Sequence, residues 1–311
     1  MLWLTLSVLA AVAFGVRGML YHWTSQKPVN RNLMLCGVFG MGAIVNLAGA
    51  IMLSSEWTLG CLVGIQMGLF SFGANASMFK GFAVGKASLV AILTALPAVV
   101  VVLAAYWLWD ERIGGLQMLA FAIIVGGVLL VRYSNELTLS NLQGAQWGLL
   151  AMLLFAGNDL SGKWSTLLGA ELLPTLFFMF ATGTACFGLW WMADVRRERM
   201  AREFAVATVA SVASSSADGP PAGMGRREAW SGRKTFVTGL AVGLTNTAGM
   251  LLIVSAFDIG KAGLVSAVVA LNVPLVLLYT RFVVKEKFSR TETAGILLSL
   301  AGILLMRLFG D

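Results

Sequence analysis

The chain has 311 residues, of which 58% are hydrophobic and only 12% charged, and its mean hydropathy is +0.83. A soluble domain would carry about twice that charged fraction, so the composition excludes an ordinary water-soluble fold. The net charge of +7 does not argue for nucleic acid, because the basic residues lie between apolar runs, where they act as topology signals. No sustained period-two alternation runs through the sequence, which disfavours an outer-membrane barrel.

Spans of about 20 apolar residues are taken in chain order. The first, Leu2–Leu20, has no basic stretch before it and reads as a retained helix, not a cleaved signal. It carries Arg17, which either binds a carboxylate or phosphate of a substrate or serves as a topology charge. His22, beside Tyr21 and Trp23, reads as an interfacial residue. The second span, Leu33–Leu53, contributes Asn46. The third, Trp57–Phe79, places Gly60, Gly64, Gly68, Ser71 and Asn75 on one narrow helical face, with Gln66 as a further polar candidate. Its glycines read as a packing seam. Asn75 must find partners in another helix or in a wet cavity. The fourth span, Ala87–Trp109, carries Thr94 and Pro97, and the fifth runs Ile113–Val131.

After a connector over 133–143 comes the sixth span, Gly144–Trp164, with Asn158 and Asp159 near its end. A carboxylate inside a membrane defaults to a functional hypothesis. Asp159 therefore reads as a partner for a cationic substrate or a coupling proton, or else as a salt bridge to Lys163 one turn away. The seventh span, Leu172–Ala193, leads into a long basic segment, 194–234. This segment opens on Arg196, Arg197, Glu198, Arg199 and Arg202 and passes through Ser214-Ser215-Ser216. It reads as a partly disordered cytoplasmic linker whose first part has the makings of a lipid-surface helix. The eighth span, Thr235–Phe257, repeats the stripe as Gly239, Gly243 and Asn246. The ninth, Ala262–Val283, holds Asn272, Pro274 and Tyr279. Its proline frees a carbonyl near Ala270 and is expected to kink the helix, and such breaks often line a transport path. The tenth runs Thr293–Phe309.

Shifted by 175 residues, the chain matches itself. Over Gly64–Arg132 and Gly239–Arg307, 18 of 69 positions are identical. They include Gly85/Gly260, Lys86/Lys261, Glu111/Glu286 and Arg132/Arg307, which shared apolar composition does not readily produce. The first and sixth spans align through Phe14/Phe155 and Trp23/Trp164. Two repeats of five helices, 1–132 and 144–193 with 235–311, must enter the membrane from opposite sides. The expected fold class is thus an all-α integral membrane protein of about ten helices in a 5+5 inverted repeat. Eighteen of the 22 Lys and Arg residues fall at one end of such a bundle. This places that end, with the 194–234 loop, in the cytoplasm and both termini outside.

The stretch Phe79-Lys80-Gly81-Phe82-Ala83-Val84-Gly85-Lys86-Ala87-Ser88-Leu89-Val90, then Pro97, then Trp109-Asp110-Glu111-Arg112, then Gly126-Gly127, resembles an EamA-type repeat of the drug/metabolite transporter superfamily. Ile259-Gly260-Lys261-Ala262-Gly263-Leu264-Val265, Pro274, Glu286-Lys287 and Gly302 repeat it. The resemblance implies a central cavity lined by helices 1–4 and 6–9, with helices 5 and 10 at the periphery. It also implies transport of small organic solutes such as amino acids, sugars, nucleosides or amines. Many members place their termini in the cytoplasm, opposite to the charge bias here.

The function expected is secondary transport of a small metabolite across the cytoplasmic membrane, in which one chain suffices for a pathway and oligomers are allowed. The partners expected are the solute and the bilayer. No cofactor or metal is expected, while coupling to protons or a counter-substrate stays open. The three cysteines, Cys36, Cys61 and Cys186, sit in apolar runs without ligand spacing. With one histidine and no HExxH motif, an embedded enzyme is disfavoured. A non-transporting scaffold is the other alternative.

Overall fold

The computed structural model describes residues 1–84, 90, 92–132, 144–213, 230–279, 282–283 and 289–309. Among them the regular elements are α1 (Leu2–Ser25), α2 (Arg31–Met52), a 3-10 turn (Leu59–Leu62) leading into α3 (Val63–Val84), α4 (Pro97–Trp109), α5 (Gly115–Arg132), α6 (Ala145–Leu167), α7 (Leu172–Ala213), α8 (Gly232–Ile259), α9 (Ala262–Val269), α10 (Asn272–Tyr279) and α11 (Arg290–Phe309). Seven helical stretches, with 262–279 taken as one, are long and apolar enough to cross a membrane, and α4 and α5 are shorter apolar helices. The 23-residue α6 is not among the seven. Asn158, Asp159, Ser161, Lys163 and Ser165 lower its hydropathy. The outward faces carry Leu2, Leu53, Leu59, Trp107 and Leu308, all strongly exposed, a surface suited to lipid.

Local chemistry sets the helix ends. Asn30 caps α2 by accepting from the Leu33 amide at 3.0 Å, and Ser231 caps α8 through the Lys234 amide at 3.3 Å. The fourth and ninth spans are interrupted. Pro97 opens α4 at its first turn, where its missing N–H is no loss. In the ninth span the break falls at Ala270–Leu271, just ahead of Pro274, so one expected helix is two. The Ala270 carbonyl, deprived of its usual donor, accepts from the Val273 amide at 3.1 Å. The seventh helix overruns its expected end at Ala193 by 20 residues. Ala, Arg, Glu and Met dominate this extension and favour the helix. The connector 133–143, the Ser214-Ser215-Ser216 stretch and the Glu286-Lys287 pair lie outside the described residues.

The principal packing pairs follow the internal repeat. The first span packs on the eighth as the sixth packs on the third; the second packs on the eighth as the seventh packs on the third; and the first packs on the ninth as the sixth packs on the fourth. The second–seventh, fourth–ninth and fifth–tenth pairs join equivalent spans of the two halves. Glycines enable the closest approaches. A methyl on Gly64 would collide with the Thr175 carbonyl, and one on Gly68 with Met179. In the other half, Gly239 meets the Met34 carbonyl and Gly243 that of Val38. Gly60 faces Ala170. The fifth and tenth spans pair mainly with each other, through Gly127 and Gly295.

The connections alternate between two ends. At one, Trp230 stacks edge-on against Trp23 and donates its amide to the Pro28 carbonyl, Asn32 donates to Asp194 at 2.6 Å, and Arg31 lies over Phe79. At the other, Trp3 lies beside Gly260, and Glu111 meets Lys163. The first is the basic end of the sequence reading.

Candidate functional site

A cavity of about 460 Å³ opens among the helices, a volume suited to a small molecule. Spans one to four and six to nine supply nearly all of its wall, with Val131 added from the fifth. Its lining extends toward the basic end on α1, α3 and α10 and lies at or past mid-helix on α6 and α8. On α1 it takes Phe14, Arg17, Gly18 and Tyr21, while Ala10 and Ala11 further along are buried in packing. On α3 it takes Ser71, Asn75 and Met78, while Met67 is sealed. On α8 it ends at Ile253, before the buried Phe257.

Eight of the eleven polar residues singled out in the sequence line this one space: Arg17, Ser71, Asn75, Thr94, Asn158, Asp159, Asn246 and Asn272. Arg17 lies over the ring of Phe14 at 4.5 Å and that of Tyr21 at 5.8 Å, and it donates to Asn246 Oδ1. Two aromatic faces and an amide hold the guanidinium in place, which argues against a plain topology charge. Asp159 accepts a hydrogen bond from Ser266 Oγ at 2.6 Å and another from the Asn158 side chain. Asn75 donates to the Ser71 carbonyl at 2.7 Å, and Thr94 to that of Val90 at 3.0 Å. Pro97 and Pro274 stand beside the breaks, and Ala270 lies in the cavity wall.

The other three lie elsewhere. Asn46 is fully buried in α2 and donates to its own helix at Gly42. Gln66 donates to Ser161 Oγ at 3.1 Å, between α3 and α6. Tyr279, at the end of α10, is half-buried off the cavity wall.

The repeat explains the layout. Arg17 and Asn246 meet where the first span packs on the eighth. Their repeat partners, Asn158 and Ser71, both line the cavity where the sixth packs on the third. The position matching Asp159 in the first half is Gly18, so the carboxylate has no twin. Two buried polar atoms at the site have no partner among the described residues, Arg17 Nε and Asn158 Oδ1. One is a donor and the other an acceptor, and buried groups of this kind are normally satisfied.

The pairing of Asp159 with Lys163 does not form. Lys163 is 7% exposed. It lies 3.5 Å from Glu111 and donates to the Phe257 and Gly260 carbonyls at 2.7 and 2.9 Å. It therefore neutralises the C-terminal end of α8 instead of reaching the surface. Ser266, Phe14 and Tyr21 were not picked out from sequence; Ser266 in particular sits in an apolar run with Ala91 as its repeat match. The three cysteines are free thiols, and among the described residues no group of three metal-binding side chains occurs.

The helices and their apolar exterior define a multi-pass, all-helical membrane protein. Residues 1–133 match the EamA-like transporter family, in keeping with the EamA-type repeat that the motifs of this half led us to expect. A solved structure described only as "Crystal structure of protein" superposes with a TM-score of 0.71, over 98% of this chain and 97% of that one, at 12% identity; that likeness concerns the fold alone. No curated protein matches the sequence.

Proposed function

We propose that this protein is a secondary transporter that moves a small dipolar organic solute across the cytoplasmic membrane by alternating access. One observation carries the reading. A cavity built from both halves, holding an Arg and an Asp, is packed shut toward the end of the bundle where Met67, Phe257 and Leu264 are buried. An alternating-access carrier caught in one of its two states has this form. The 5+5 packing fits inverted repeats, which generate the second state by exchanging the conformations of the halves. By the Lys and Arg bias the end opposite the packed one is cytoplasmic.

The chemistry of the wall suggests the solute. Arg17 offers a guanidinium with a free N–H, suited to a carboxylate or similar anion. Asp159 and the free Asn158 carbonyl offer acceptors suited to an ammonium or another donor-rich group. One cation and one carboxylate leave the site neutral overall, which favours a neutral zwitterion over a net ion. Phe14, Phe39, Phe155 and Met250 give its remaining parts an apolar bed. Asp159 is also the natural site for a coupling proton. One chain supplies the whole pathway.

The test is thermal stability of the purified protein against zwitterions, anions, cations and uncharged sugars. A solute at 100 times its dissociation constant stabilises the fold by about 2.7 kcal/mol. Zwitterions are expected to shift the transition, and Asp159→Asn and Arg17→Gln to abolish the shift. Stabilisation by sugars alone would refute the dipolar assignment.

A further inference from the structure

The sealed end of the bundle contains a buried polar lock. Glu111, in the connection between α4 and α5, has one carboxylate oxygen 3.5 Å from Lys163 Nζ, and its other oxygen accepts from the Ala262 amide at 2.8 Å. Lys163 reaches from α6 to the last carbonyls of α8, at Phe257 and Gly260. The two side chains are 14% and 9% exposed. Glu111 thus belongs to the first half and holds two elements of the second: the α6 lysine and the first turn of α9. Lys261 reinforces the junction by donating to the Arg112 carbonyl and to Gln117 Oε1. The lock lies one turn beyond Asp159, between the floor of the cavity and the outside.

We infer that the Glu111–Lys163 pair is the gate that closes the far end of the cavity. This inference rests on the alternating-access reading. A buried ion pair is a weak source of stability, because desolvation offsets most of its attraction, and apolar replacements are often as stable. It is well suited to a contact that must break in every cycle. When the end opens, water enters and hydrates both ions, so the lost attraction is recovered as solvation. An apolar seal has no such return; its exposure costs about 25 cal/mol for each Å². A hydrated-or-paired choice therefore keeps the open and closed states close in free energy, as a carrier requires. The helix ends that the pair caps belong to the eighth and ninth spans, which carry Asn246 and Ser266 in the cavity, so releasing the lock also frees binding helices.

The experiment uses the full chain in oriented membrane vesicles, with Cys36, Cys61 and Cys186 replaced by Ser. One reporter is Leu264→Cys, in the first turn of α9 beside the lock, where Leu264 is 1% exposed. The control reporter is Leu35→Cys, fully buried in α2. An impermeant maleimide is added from the sealed side. In Glu111→Gln and Lys163→Met, labelling at the Leu264 reporter is expected to rise several-fold while the Leu35 reporter stays protected. Glu111→Asp, which keeps the charge but shortens the reach, gives a smaller rise and stands in if the bolder variants do not fold. Unchanged labelling at the Leu264 position in a folded variant overturns the gate. Equal rises at both reporters overturn it too, since the pair would then be a general structural clamp. Solute flux by the parent protein, measured separately, decides the transport reading independently of this result.

Discussion

The two ends of the bundle contain the same helices but differ in how they are closed. In the middle of the bundle the spans part around Arg17, Asp159, Asn246 and Asn272. Toward the far end Ala10, Met67, Val101, Phe257 and Leu264 are packed to near-complete burial, and among the described residues one ion pair, Glu111–Lys163, bridges the halves. On the proposed reading, a carrier with a cavity beside a packed core has only to exchange which end is packed. The packing pairs, matched across the repeat, supply the means, and the difference between the ends shows where each side chain belongs. On the proposed reading, polar residues that line the cavity serve a solute, whereas polar residues in the closed half, apart from the lock, serve packing.

That division can be broken most sharply at the cavity. Asp159→Asn or Arg17→Gln removes one partner of a charge-assisted contact, which typically costs about 2–5 kcal/mol. Each is therefore expected to weaken solute binding by about 30-fold or more, measured by calorimetric titration, with little change in melting temperature. A smaller effect follows in the seams. Gly64→Ala is expected to lower stability by about 1–3 kcal/mol, because its methyl meets the Thr175 carbonyl, and to lower the melting temperature by several degrees. Gly126→Ala, where nothing lies within 4 Å, should change it little; equal effects from the two would remove glycine packing as the cause. The smallest effect concerns the residues placed off the cavity. Asn46 Oδ1 is buried without a partner, so Asn46→Leu is expected to leave solute binding unchanged and to raise the melting temperature slightly. Lost binding in Asn46→Leu would extend the site beyond the cavity seen here.

The sequence revealed much of this layout, for physical reasons that differ by residue. The spans were readable because lipid demands about 20 apolar residues in a row, and the glycine stripes because helices approach closely only over small residues. Asn158, Asp159 and Asn246 were conspicuous because amides and carboxylates are costly inside a membrane. Which of two partners each would choose was not readable. Asp159 and Lys163 are four apart on one helix, yet they serve different ends of the bundle, and only the approach of Glu111 and the α8 carbonyls separates them. Arg17 looked like a charge at a helix end until Phe14, Tyr21 and Asn246 enclosed it. Ser266 carried no signal, because a serine in an apolar run commonly bonds to its own helix. The proline breaks were legible in kind, whereas their position, one turn ahead of Pro274, depended on how the freed carbonyl found a new donor.

The central claim is that the cavity is one half of a transport path for a dipolar solute. Its most direct test is counterflow of labelled small zwitterions in proteoliposomes, comparing the parent protein with Asp159→Asn and Arg17→Gln. The account predicts saturable movement by the parent, lost in both variants. Movement that is undiminished in both variants, or confined to uncharged sugars, would contradict it.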